Sequence, residues 1–167
     1  MVHHLEPGDD AQRMDLCHLM TAHPELLSVI LFTDEASFTR DGINNSRNVH
    51  TWSHENPHET RVTNFQRRFS VNVCCGVLGN RLGRGGPVAW PPRSPDLTPL
   101  DYYLWGHMKT LVYETKVESR AALRDRIFAA AEHIRSHPDN IAFATQSLLM
   151  RAENCIATGG GHFEQLL

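Results

Sequence analysis

The sequence has no long hydrophobic run. Its purely apolar stretches last only a few residues, which excludes a membrane-spanning helix. The first ten residues, Met1 to Asp10, lack the apolar core of a secretory signal. The four cysteines, Cys17, Cys74, Cys75 and Cys155, form no C-x-x-C pair and no disulfide framework, so a reducing, intracellular location is expected. No internal repeat is present. Strong net charge is also missing: the formal value is −3. That excludes a protein drawn to DNA by its overall charge, though not one with a local basic patch. What remains is ordinary globular material, 41% hydrophobic and 21% charged. At 167 residues the chain suits one domain, burying roughly two-thirds of its unfolded surface.

One local absence is informative. Residues 1–60 carry ten acids, yet none occurs from Thr60 to Pro95. That stretch holds six arginines: Arg61, Arg67, Arg68, Arg81, Arg84 and Arg93. Guanidinium groups suit bidentate contact with phosphate, so these six are the candidate nucleic-acid contacts. A solvated charged face is the plain alternative.

Spacing predicts a helix over 9–22, capped by Asp9 or Asp10, with Met14, Leu16, Leu19 and Met20 apolar. Residues 28–33 read as a strand buried on both faces and ending at Asp34. Further short strands are expected at 36–40 and 47–53, around a turn at 41–45, and another at 69–78. A glycine-rich break at 81–87 leads to a short strand at 88–90. A helix should then open with Thr98 as N-cap, Pro99 at N1 and Asp101 at N3. Its apolar positions are Leu100, Leu104, Met108 and Leu111. Two more helices cover 119–136 (Ala121, Leu123, Ile127, Ala130, Ile134) and 139–157 (Ile141, Phe143, Leu148, Leu149, Ile156). Gly159 to Gly161 end the last. The plan is α/β in the mixed α+β sense, a β-meander followed by a short strand and C-terminal helices.

Asp34 and Asp101 stand out as carboxylates at element ends. Each has a structural alternative: Asp34, like Glu35 beside it, ends a strand at the surface, and Asp101 serves the helix start. His50, His54 and His58 recur every fourth residue, but Pro57 interrupts any helix that would align them, and no cysteine pair completes a zinc site. Cys74 and Cys75 should face opposite sides of their strand.

Two blocks, Leu31-Phe-Thr-Asp-Glu-Ala-Ser-Phe38 and Trp90-Pro-Pro-Arg-Ser-Pro-Asp-Leu-Thr-Pro-Leu-Asp-Tyr-Tyr-Leu-Trp105, resemble mariner-like transposases of the DDE/DDD superfamily. Residues 69–76, Asn56-Pro57-His58 and 162–167 look similar too. The resemblance runs from about Leu5 onward. Its most specific part is Ser-Pro-Asp-Leu-x-Pro-x-Asp at 94–101. It implies an RNase H-like fold in which acidic residues hold Mg²⁺ or Mn²⁺ for DNA cleavage and strand transfer. By motif match Asp34 is the first carboxylate and Asp101 the third, each catalytic and metal-binding, while Asp96 forms a turn.

The family's second carboxylate has no counterpart. It should lie near Leu82-Gly83, where the acid-free segment passes directly to the last strand. Cys74 also stands where a tryptophan is expected. The chain is expected to begin near the catalytic domain, without the helix-turn-helix that reads transposon ends. The resemblance thus implies one incomplete RNase H-like domain in two halves, 1–82 and 83–167, with an internal deletion. Expected consequences are weakened metal binding, no cleavage, weak non-specific DNA binding, and a nuclear or cytoplasmic location. The alternatives are a domesticated DNA- or protein-binding module, or a residual reading frame without function.

Overall fold

The computed structural model describes residues 4–40, 69–78 and 90–167. Its first element, α1 (Asp9–Ala22), follows Gly8, whose φ of 97° turns the chain into the helix. Gly8, not an aspartate, therefore holds the cap position. Asp9 and Asp10 occupy the first turn instead, where negative charge suits the helix dipole. The buried stripe is Arg13, Leu16, Cys17 and Met20, a spacing that keeps one helical face inward.

Pro24 starts a 3₁₀ turn through Ser28 rather than a strand. One strand, β1 (Leu31–Thr39), then replaces the two expected at 28–33 and 36–40. It pairs antiparallel with β2 (Ser70–Leu78), from Leu31 opposite Leu78 to Thr39 opposite Ser70. The strand is not buried on both faces. Phe32, Ala36 and Phe38 are buried while Thr33, Glu35, Ser37 and Thr39 are exposed, the period-two pattern of a half-covered sheet. On β2 the same alternation puts the two cysteines on opposite faces, as expected, with Cys75 inward and Cys74 outward. The strand expected at 47–53, the turn at 41–45, the glycine-rich break and Val88-Ala89 lie outside the described residues. Trp90 is described, and its ring meets Phe32 edge-on at 5.5 Å.

After a 3₁₀ turn at Pro95–Leu97, Thr98 is extended and Pro99 adopts helical angles. The Thr98 carbonyl accepts the N–H groups of Asp101 and Tyr102, both at 3.1 Å. A π-helical turn, Leu100–Leu104, leads into α2 (Trp105–Val112). Next come α3 (Arg120–Arg135), capped by the Ser119 hydroxyl on Ala122 N–H, and α4 (Pro138–Ala157). Leu123, Ile127, Ala130 and Ile134 bury the inner face of α3, but Ala121 is exposed. On α4 the buried residues are Ala144, Thr145, Leu148, Ala152 and Cys155. Phe143 falls one position off that stripe and is 76% exposed, contrary to its expected place on the apolar face. The described residues thus form an α+β arrangement, a two-stranded antiparallel sheet with four α-helices. No described helix is long and apolar enough to cross a membrane. One core joins Phe32 and Phe38 of the sheet to Leu16, Leu104, Trp105, Leu123 and Leu148 of the helices.

Candidate functional site

Asp34 is not at a strand end. It sits in the middle of β1, opposite Cys75. Strand periodicity places it with Phe32, Ala36 and Phe38 on the inward face, where it is half-buried. A carboxylate there needs a partner to offset lost hydration. Trp105, at the start of α2, supplies one: its indole Nε1–H donates to Asp34 Oδ2 at 2.7 Å. Trp105 is 5% exposed, and Phe38 meets its ring edge-on at 6.4 Å. Glu35, on the opposite face, is exposed and paired in register with Cys74.

Asp101 is exposed, in the π-helical turn four residues before Trp105. The Trp105 N–H closes that turn onto the Leu100 carbonyl. Through Trp105, Asp34 is therefore tied to the same helical segment that carries Asp101. Oxygen donors of this kind suit one hard cation such as Mg²⁺ or Mn²⁺. Among the described residues, no three of His, Cys, Asp or Glu are grouped to hold a metal ion. The described residues thus show no clustered metal site, and what joins Asp34 to the segment of Asp101 is the bond to Trp105.

Asp96, the turn-former of the Ser-Pro-Asp-Leu motif, has a different setting. It is buried, and Arg13 of α1 grips both its oxygens, Nη1 to Oδ1 at 2.8 Å and Nη2 to Oδ2 at 2.6 Å. Arg13 is fully buried and spends its other donors on Ser94 Oγ (2.9 Å), Gly160 O (2.7 Å) and Gly161 O (3.3 Å). Burial alone would weaken the Arg13 charge, but the Asp96 hydrogen bonds and charge outweigh it and raise the pKa. Gly160 makes this approach possible: its φ is 88°, and a Cβ would collide with the Asp10 backbone. Arg151 adds a bond from Nη1 to the Asp96 carbonyl at 3.1 Å and lies over the Tyr102 ring at 3.9 Å.

Of the six candidate DNA-contacting arginines, Arg61, Arg67, Arg68, Arg81 and Arg84 lie outside the described residues. Arg93 is described, with a φ of 54°. It donates from Nε and Nη2 to the two oxygens of Asp9, at 2.6 and 2.7 Å, and pairs with Glu6 at 3.2 Å. These bonds, with the Glu6 N–H, hold the Asp9 pKa down at about 2. His50, His54 and His58 also lie outside the described residues. All four cysteines are free.

Sequence reasoning gave no role to Trp105 or Arg13. The signal for Arg13 was present: one arginine on the stripe that continues through Leu16, Cys17 and Met20. For Asp34 it was the alternation Phe32, Asp34, Ala36, Phe38, which puts an acid on an apolar face.

No family model and no curated protein matches the sequence. Solved structures do match. The chain is similar to the Mos1 transposase paired-end complex with left transposon end, at TM-score 0.67 and 14% identity, over 97% of this chain and 65% of that one. It is also similar to the Mos1 mariner paired end complex with Mn, at TM-score 0.65 and 14% identity, over 98% of this chain and 66% of that one. It thus spans just under two-thirds of the length of the transposase chains it matches. Over nearly its whole length, this chain has the fold of the Mos1 mariner transposase.

Proposed function

We propose that this chain derives from the RNase H-like catalytic domain of a mariner-like transposase, and that it no longer cuts DNA. The carrying observation is the fold shared with Mos1 across 97% of the chain. The two motif aspartates support it, because Trp105 links Asp34 to the segment bearing Asp101. The ancestral chemistry is DNA cleavage and strand transfer. When bound, a divalent cation polarises the phosphodiester and activates the attacking oxygen. In this chain Asp34 and Asp101 are the residues that would hold such a cation. Family chemistry requires a further carboxylate, and none occurs between Thr60 and Pro95. Glu35 is no substitute, because its side chain leaves the sheet on the face away from Asp34. DNA remains the proposed partner, in the nucleus, through phosphate contacts that carry no base identity. With Arg93 engaged by Asp9 and Glu6, those contacts fall to Arg61, Arg67, Arg68, Arg81 and Arg84.

The test is a supercoiled-plasmid nicking assay in Mn²⁺, comparing the chain with Asp34→Asn. No nicking above the metal-only background is expected from either. Mn²⁺-dependent nicking that disappears in Asp34→Asn would overturn the loss of activity and reveal a replacement carboxylate. Sequencing the transcript across Leu82-Gly83 tests the internal deletion directly.

A further inference from the structure

We propose that Cys17 and Cys155 form an oxidisable dithiol, and that a small peroxide converts it to a disulfide stapling α1 to α4. Contacts at the end of α4 set the register of the two helices. The Asp10 backbone closes on Gly160 so tightly that a Cβ there would strike it. Arg13 donates from Nε to the Gly160 carbonyl at 2.7 Å, and the Gly160 N–H donates to the Cys155 carbonyl at 2.9 Å. Cys17 lies one turn beyond Arg13 on the same face of α1. There it meets Cys155, and its S–H donates to the Cys155 sulfur. Both thiols sit in the core, 1% and 0% exposed. The two sulfurs are not equivalent. The Cys17 hydrogen bond, with help from the Arg13 charge, lowers the Cys155 pKa against the effect of burial. Donation to Cys155 and burial raise the Cys17 pKa. The thiolate is the reactive form, so Cys155 attacks first. Its sulfur bonds to one peroxide oxygen, the O–O bond breaks, and the departing hydroxide takes the proton that Cys155 gave up. Cys155 is left as a sulfenic acid. The Cys17 sulfur then displaces the sulfenic hydroxyl, which leaves as water with the Cys17 proton. Two thiols and one peroxide give one disulfide and two waters. Burial selects the oxidant: hydrogen peroxide is small and uncharged, whereas a bulky disulfide does not reach sulfurs this deep.

The experiment treats the folded full chain with hydrogen peroxide, alkylates the remaining thiols in urea, and digests with trypsin without reductant. Cleavage after Arg13, Arg40 and Arg151 places Cys17 in peptide 14–40 and Cys155 in peptide 152–167. Mass spectrometry should find the two joined, lighter than their sum by two hydrogens, and separated again by dithiothreitol. A covalent tie across most of the chain restricts the unfolded ensemble, so the oxidised chain should unfold at a urea concentration about 1–2 M above the reduced one. Cys155→Ala should lose both the linked peptide and the shift. Cys17→Ala serves if that variant fails to fold, and the peptide map of the unaltered chain decides the matter if neither folds. Both peptides still alkylated after peroxide, a Cys155 that stops at sulfinic acid, or links to Cys74 or Cys75 instead would overturn the pair. A linked pair with an unchanged or lower urea midpoint would overturn the staple.

Discussion

Asp96 and Asp34 are both held by a long side chain from another element, yet the two settings differ in kind. Asp96 is buried and gripped through both oxygens by a guanidinium that is itself fully buried. Every donor of Arg13 is used, on Asp96, Ser94, Gly160 and Gly161. The result is a bolt that fastens α1 to the Ser-Pro-Asp-Leu segment and to the end of α4. Asp34 is half-buried and accepts a neutral indole N–H at one oxygen. The first arrangement neutralises charge and fixes position. The second fixes position and leaves the charge available. A motif match alone treats both aspartates as parts of one signature, whereas their partners separate an acid committed to a buried ion pair from the one proposed as a ligand.

The sharpest way to break this contrast is to make one substitution at each site. Asp96→Asn leaves the Arg13 charge buried without a counter-charge. Stripping one partner from a buried ion pair typically costs about 3–5 kcal/mol, and a loss of that size is expected in the urea midpoint. Arg13→Met combined with Asp96→Leu should recover most of it, since removing both charges together also removes the desolvation they impose. A loss below about 1 kcal/mol for Asp96→Asn would mean that water reaches Arg13 and that the bolt is an ordinary surface pair.

Sequence patterning located the helices well, because helical spacing and end signals are local. The expected helices at 119–136 and 139–157 start within one residue of α3 and α4, and Gly159 to Gly161 follow the end of α4. The β1 boundary was missed because Val29 and Ile30 are β-favouring residues that follow a 3₁₀ turn opened by Pro24, and propensity cannot register that turn. The two carboxylates of interest could be named by motif, but their states could not. The bond from Trp105 to Asp34 joins residues 71 positions apart, and that from Arg13 to Asp96 joins residues 83 apart. Neither leaves a trace in local pattern beyond a polar residue on an apolar face. Phe143 shows the converse: an apolar residue at nearly helical phase lands outside, because Ala144 and Leu148 set the inward direction one position away.

A second, smaller break uses acid. Arg93 and the Glu6 N–H hold the folded-state pKa of Asp9 down at about 2, below its ordinary value. A carboxylate with a lowered folded pKa contributes stability that is fully present above its unfolded pKa and is lost as pH falls through the folded value. The loss from Asp9 should therefore run from about pH 4 down to about pH 2. Urea midpoints at several pH values in this window should fall less steeply for Asp9→Asn than for the unaltered chain. Equal slopes would show that Arg93 does not hold Asp9 in solution, and would free Arg93 to join the other arginines on phosphate.

The smallest effect is expected where function is proposed. Asp34→Asn keeps an oxygen that can accept the Trp105 N–H, and it leaves no buried counter-charge stranded, because the indole is neutral. What is lost is the difference between a charged and a neutral acceptor, about 1 kcal/mol. For a chain of this length that corresponds to a melting-temperature change of roughly 2–4 °C. The same Asp→Asn change should thus cost several-fold more at Asp96 than at Asp34. Parallel thermal and urea unfolding of the two variants measures the ratio. If Asp34→Asn proves as damaging as Asp96→Asn, then Asp34 is a structural acid too, its carboxylate is committed to the fold, and the case for it as a metal ligand fails.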